Sequence, residues 1–162
     1  MAMMLDCDAI LPARLWVGSF VRPEEIGLLG QMRITAAFSL QSDRELAIYN
    51  ISIESLLKAY ASTHIEFHRF PADDFDREAL SAKIPQAVAD LDSALSQSEA
   101  KAYVYCTAGV NRAPTLAAAY LIKMLGLSAQ GAFEFIVARR QCSPYLSILQ
   151  NYEVYLKNAG AG

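Results

Sequence analysis

Cys106 and Arg112 stand six positions apart in the stretch Ala102-Tyr-Val-Tyr-Cys-Thr-Ala-Gly-Val-Asn-Arg-Ala-Pro114. An apolar, β-prone run ends on the cysteine, and a helix-forming run opens through Ala113 and Pro114 just past the arginine. Strand, glycine-bearing turn and helix start is the arrangement that wraps backbone N–H groups around an anion. A cysteine at the base of such a turn and an arginine at its end set a sulfur nucleophile against a bound oxyanion, which suits phosphoryl transfer through a cysteine intermediate. Gly109 can take the positive φ that a turn around a ligand needs, and Asn111 is the non-glycine type most tolerant of it. Pro114 lacks only an N–H that a first helical turn does not use. The plain alternative is a buried cysteine ending a core strand, with Arg112 capping something nearby; the whole context, more than the spacing, argues against it.

Each residue has a chemical reason to be of its type. The thiolate is the attacking species, and converging amides, a helix N-terminus and a guanidinium all favour the anionic sulfur. The planar fork of Arg112 matches two phosphate oxygens, as an ammonium could not, and suits charge stabilisation in the transition state. The remaining oxygens fall to the amides of Thr107, Ala108, Gly109, Val110, Asn111 and Arg112. A leaving alkoxide needs a proton, so a carboxylic acid must face the pocket. The acidic cluster Asp73-Asp-Phe-Asp76 is the natural source. It equally well describes a solvated loop with a cap for the next helix, a role that fits Asp76.

The loop resembles that of the dual-specificity branch of the protein tyrosine phosphatases, and its wording is most similar to the plant starch-related glucan phosphatases, with laforin a more distant relative. The resemblance covers nearly the whole chain: Leu15-Trp-Val-Gly-Ser19 resembles the family's first strand, Phe38-Ser-Leu-Gln-Ser-Asp43 its second, Arg69 to Leu80 its general-acid loop, and Arg139-Arg-Gln-Cys-Ser-Pro144 the stretch before its last helix. The resemblance implies Asp74 as general acid and later general base, ahead of Asp76 and then Asp73. It also implies an aromatic platform for sugar rings, to which Tyr49 and Phe75 correspond, whereas Ile48 and Ser143 replace two other aromatics. Two departures bear on activity: Tyr105 stands where the family usually has histidine, and Ala113 where many members have serine or threonine. Asn111 replaces the glycine usual in the glucan enzymes. The expectation is a phosphomonoester hydrolase acting on a phosphorylated glucan. A phosphoprotein phosphatase follows closely, and a pseudophosphatase that only binds phosphate is the alternative of another class.

Composition fits one enzyme domain over residues 1–162, with its core about 10–158. At 162 residues and 54% apolar content the chain can fill a sizeable core. A net charge of −3 argues against nucleic acid or an anionic membrane as partner. Any positive potential is then local, from Arg112 and backbone dipoles, with Arg139 and Arg140 as further candidates. Three cysteines without paired spacing suggest a reducing compartment, with Cys7 and Cys142 as packed thiols. No metal and no cofactor are implied, since His64 and His68 have no ligand-spaced partners. A monomer is expected, in the cytoplasm, or in a plastid if a transit peptide has been trimmed.

The elements that must position these residues alternate as an α/β fold, a central mixed sheet of about five strands flanked by helices. Strands are predicted at 15–19, 34–40, 65–70 and 103–106. Helices are predicted from Arg22, over 51–61, over 79–95 with a regular part from Pro85, and over 113–125, 129–139 and 144–157, with Gly126 and Ser128 as stop and cap.

Overall fold

The structure, a computed structural model, describes residues 4–160, so the first three and last two residues of the expected domain lie outside it. Five strands form one sheet: β1 (Cys7–Leu11), β2 (Leu15–Gly18), β3 (Ala36–Ser39), β4 (Glu66–Arg69) and β5 (Ala102–Tyr105). Their order is β1-β2-β5-β3-β4, with β1 antiparallel to β2 and the other neighbours parallel. The sheet is therefore mixed, and β5, which feeds the Cys106 turn, is central. All four of its residues are buried, as a parallel strand covered on both faces requires. β1 is absent from the sequence expectation; it is a short edge strand with mixed burial and an irregular register between Ala9 and Leu11.

Alternation along β5 sends its side chains to two different cores. Ala102, Val104 and Cys106 face a larger core built with α4 (Arg77–Ala94), α5 (Arg112–Leu125), α6 (Ala129–Val137) and α7 (Leu146–Gly160). Tyr103 and Tyr105 face a smaller one with α1 (Ile26–Gln31), α2 (Asp43–Ile48) and α3 (Ile53–Ser62). Helix α5 is buried from Arg112 through Ile122, so it is the hub of the larger layer and accounts for much of the high apolar content. Ser128 caps α6 by accepting from the Gly131 amide, and Gly126 ends α5 in the left-handed conformation, as predicted.

Two expectations about helices need correction. α4 does not become regular at Pro85; it runs from Arg77 straight through the proline, with the Asp76 carboxylate accepting from the Ala79 amide as its cap. Helix α2 is also missing from the sequence expectation. Its start is a capping box: Ser42 Oγ accepts from the Glu45 amide at 3.2 Å, and Glu45 Oε2 accepts from the Ser42 amide at 2.9 Å.

Candidate active site

The turn from Cys106 to Arg112 is closed by what its carbonyls do. Thr107 O accepts from the Phe20 amide at 3.2 Å, and Val110 O accepts from the Ser143 amide at 2.7 Å. Arg140 donates through Nε to Gly109 O at 2.8 Å and through Nη2 to Ala108 O at 3.2 Å. Asn111 O accepts from both the amide and the hydroxyl of Thr115, at 3.1 and 2.7 Å. Every carbonyl from Thr107 to Asn111 is thus drawn outward. Among the described residues, no amide from Thr107 to Arg112 donates to a protein acceptor. A turn with its carbonyls held out and its amides unclaimed is an anion cradle, and the N-terminus of α5 adds its dipole. Cys106, 2% exposed, lies at its base with Sγ 3.5 Å from the Ala113 amide.

Gly109 makes this closure possible. Its φ is +67°, and a Cβ there would lie 2.6 Å from the Gly18 backbone and 2.7 Å from Arg140 Nη2. Gly109→Ala is therefore expected to open the turn and lower kcat/KM by about 10²-fold, the scale on which preorganised donors act. Steady-state kinetics on an aryl phosphate check this, and unchanged activity would contradict it.

Arg112 is 2% exposed and held on its outer side. Nη1 and Nη2 each donate to Glu45, to Oε2 and Oε1, both at 2.6 Å, and Nη1 also donates to Ala72 O at 2.7 Å. Glu45 Oε1 accepts from Thr107 Oγ1 as well, at 2.5 Å, and Gln41 Nε2 donates to that hydroxyl at 3.1 Å. Burial pushes the Glu45 carboxyl up, but the bonds from Arg112, the Ser42 amide and Thr107 together outweigh it and hold the group at about 2. This bidentate pair fixes the plane of the guanidinium. Arg112 Nε is buried without a hydrogen-bond partner, 3.5 Å from Asp74 Oδ1.

The three candidate acids separate by position. Asp74 approaches Arg112 and is 42% exposed at its side chain, Asp76 is consumed as the cap of α4, and Asp73 shares the hollow with Asp74 but has no ion pair to Arg112 among the described residues. That hollow, about 200 Å³, is bounded by Arg44, Glu45, Ile48, Asp73 and Asp74. Phe75 follows Asp74 with a φ of +68° and is 75% exposed. Tyr49 instead packs on Phe20, ring centroids 4.8 Å apart, and its neighbour Ile48 reaches the rim.

Tyr105 turns away from the sulfur. Its hydroxyl lies 2.9 Å from that of Tyr60 in the smaller core, and both side chains are fully buried. Burial pushes the Tyr105 hydroxyl up to about 12, a rise that its hydrogen bond with Tyr60 opposes. Arg140 adds no free positive charge at the turn. Arg140 is paired with Asp6 and Asp8 at 3.1 and 2.8 Å, and Arg139 lies over the Phe135 ring at 3.4 Å. Cys7 and Cys142 are partly buried free thiols, both pushed up by burial.

The family described as dual specificity phosphatase, catalytic domain, matches residues 15–153. The chain belongs to that family. Similar curated proteins include phosphoglucan phosphatase DSP4, amyloplastic, of Castanea sativa, 29% identical over 140 residues, which are 85% of this chain and 37% of that protein. Dual specificity protein phosphatase 5 of Rattus norvegicus is 28% identical over 131 residues, 81% of this chain and 30% of that protein. The chain thus spans well under half the length of these relatives. Among solved structures, PTPMT1 superposes with a TM-score of 0.76 at 20% identity, covering 96% of this chain and 98% of that one, a likeness of fold.

Within this family frame, Glu45 is the site residue that sequence reasoning missed. The signal was present as Ser42-x-x-Glu45, the capping-box spacing, although nothing local links it to Arg112.

Proposed function

We propose that this domain hydrolyses phosphomonoesters through a phosphocysteine intermediate, and that its substrate is a phosphorylated glucan. The observation that carries the reading is the Cys106 turn with its carbonyls from Thr107 to Asn111 bonded outward and Arg112 aimed by Glu45. A substrate phosphate held by the loop amides and the Arg112 fork presents its phosphorus to Cys106 Sγ. The S–P bond forms as the P–O bond to the leaving group breaks, and Asp74 gives its proton to the departing oxygen. The Asp74 carboxylate then takes a proton from a water that attacks the phosphocysteine, which releases inorganic phosphate and restores the thiolate. The guanidinium and amides stabilise the charge on the equatorial oxygens in both steps.

Three features support the glucan. Two relatives, from Castanea sativa and Arabidopsis thaliana, are phosphoglucan phosphatases. The loop interior of Thr107, Ala108, Val110 and Asn111 carries no cation that would suit a polyphosphorylated headgroup. Phe75 offers an exposed aromatic face beside Asp74, suited to stacking on a sugar ring. Packing of Tyr49 onto Phe20 favours the second reading, a phosphoprotein substrate, because it leaves the platform with one aromatic fewer. A glucan substrate goes with the plastid named for those relatives, a phosphoprotein one with the cytoplasm. Phosphate release from amylopectin is expected to exceed release from phosphotyrosine peptides; a clear excess with the peptides would reverse the order.

A further inference from the structure

Tyr145, in the turn between α6 and α7, has no part in the chemistry above. Its side chain is 7% exposed, and its hydroxyl oxygen is buried without a hydrogen-bond partner among the described residues. A phenol carried into the interior ordinarily finds a partner there, because the bonds it made to water are otherwise lost with nothing in return.

Tyr145 is held from two sides, at its backbone and at its ring. The Tyr145 amide donates to Thr115 Oγ1 at 2.8 Å, and that hydroxyl donates to Asn111 O at 2.7 Å, which ties the residue to the phosphate turn. The Arg77 guanidinium lies over the ring at 4.4 Å, and Arg77 opens α4 directly after the acid loop. Tyr145 is therefore wedged between the two loops that the reaction must bring together. Burial pushes the Tyr145 hydroxyl up and the Asp74 carboxylate adds to that rise, whereas the Arg77 and Arg112 guanidinium groups oppose it. Asp74 Oδ1 accepts from the Phe75 amide at 3.1 Å and lies near Arg112 Nε, while Oδ2 has no protein partner among the described residues. The segment before α7 thus sets a buried, unpaired donor against the base of the loop that carries Asp74.

We propose that Tyr145 is a positioning residue for Asp74, its hydroxyl, unpaired in the resting fold, donating in the substrate complex to the carboxyl oxygen that does not carry the proton. The bond orients the acid so that its O–H points at the leaving oxygen. When that proton transfers, the carboxylate left behind keeps the same bond, now charge-assisted, and is held ready to take a proton from water. Tyr145 keeps its own proton throughout. This inference rests on the phosphatase reading and adds to it the residue that aims the acid.

The test compares the wild-type chain, Tyr145→Phe, Asp74→Asn and the double variant on a series of aryl phosphates. A residue that works through the acid matters most where the leaving group most needs a proton. Tyr145→Phe is expected to lower kcat/KM for phenyl phosphate about five- to tenfold, the scale of one hydrogen bond, and to leave dinitrophenyl phosphate nearly unaffected. In the Asp74→Asn background it is expected to add no further loss. Its Tm should equal or exceed that of the wild type, because the hydroxyl removed is unpaired in the resting fold. Equal losses for every leaving group, full additivity with Asp74→Asn, or no effect on phenyl phosphate would each overturn the inference. A wild type that releases no phosphate would overturn the phosphatase reading itself, whereas a wild type that loses activity on Asp74→Asn yet is indifferent to Tyr145→Phe overturns this inference alone.

Discussion

Replacing Cys106 with serine is expected to abolish phosphate release, by about 10⁴-fold or more, the scale on which loss of a nucleophile acts. The substitution changes one atom at a site that is 2% exposed, so packing is nearly preserved, and a serine oxygen can still accept from the Ala113 amide. A neutral hydroxyl in the same cradle is a poor nucleophile, since among the described residues the one hydrogen bond at that atom comes from the Ala113 amide, a donor and not a base. Asp74 lies next to Arg112 and belongs to the leaving-group side. The cradle is made of backbone amides and Arg112, so Cys106→Ser should still bind a phosphate ester. Turnover of p-nitrophenyl phosphate, read beside binding of the same ester by calorimetry, tests both halves. Retained turnover would mean that another group does the chemistry, and joint loss of turnover and binding would mean that the sulfur is structural.

Glu45→Gln carries the second large effect. The glutamate accepts from both Nη atoms of Arg112 at 2.6 Å and from Thr107 at 2.5 Å, so one side chain aims the guanidinium and braces the first residue of the turn. Glutamine keeps one acceptor and turns an NH₂ group toward a donor, which breaks the fork and leaves the charge of a 2%-exposed arginine without its partner. Activity is expected to fall about 10²-fold through misplacement of the phosphate clamp. Stability at neutral pH is expected to fall by about 3 kcal/mol, as when one partner of a buried pair is removed.

The pH dependence of that difference has a defined sign. Glu45 sits at about 2 in the fold against an ordinary 4.5, so its contribution is fully present above 4.5 and fades as pH falls toward 2. Denaturant titrations of the wild type and Glu45→Gln should therefore give a constant gap above pH 5 that closes across that window. A gap that persists at low pH would assign the loss to packing.

The contiguous parts of the site were legible in the sequence because their physics is local. Strand β5, the turn and the start of α5 follow one another in the chain, so the types of Cys106, Gly109 and Arg112 carried the cradle with them. Asp76 as the cap of α4 was legible for the same reason, whereas the choice of Asp74 as the acid came from the resemblance. What escaped depends on contacts between distant segments. Glu45 announces itself only as half of a capping box; its approach to Arg112, 67 positions away, follows from where α2 docks. Arg140 read as a free cation because its two aspartate partners sit at the other end of the chain, in and before β1, an edge strand too short and irregular to show a pattern. The departure at Tyr105 was visible, whereas its partner Tyr60 was not, since alternation along β5 sends that side chain to the opposite core from Cys106.

A crystal structure of the wild-type chain soaked with vanadate measures the central claim most directly. The expected result is a vanadate whose metal is bonded to Cys106 Sγ, with its equatorial oxygens on the amides from Thr107 to Arg112 and on the Arg112 guanidinium, and Asp74 at the axial oxygen. An empty turn, or vanadate bound elsewhere on the surface at saturating concentration, would contradict it.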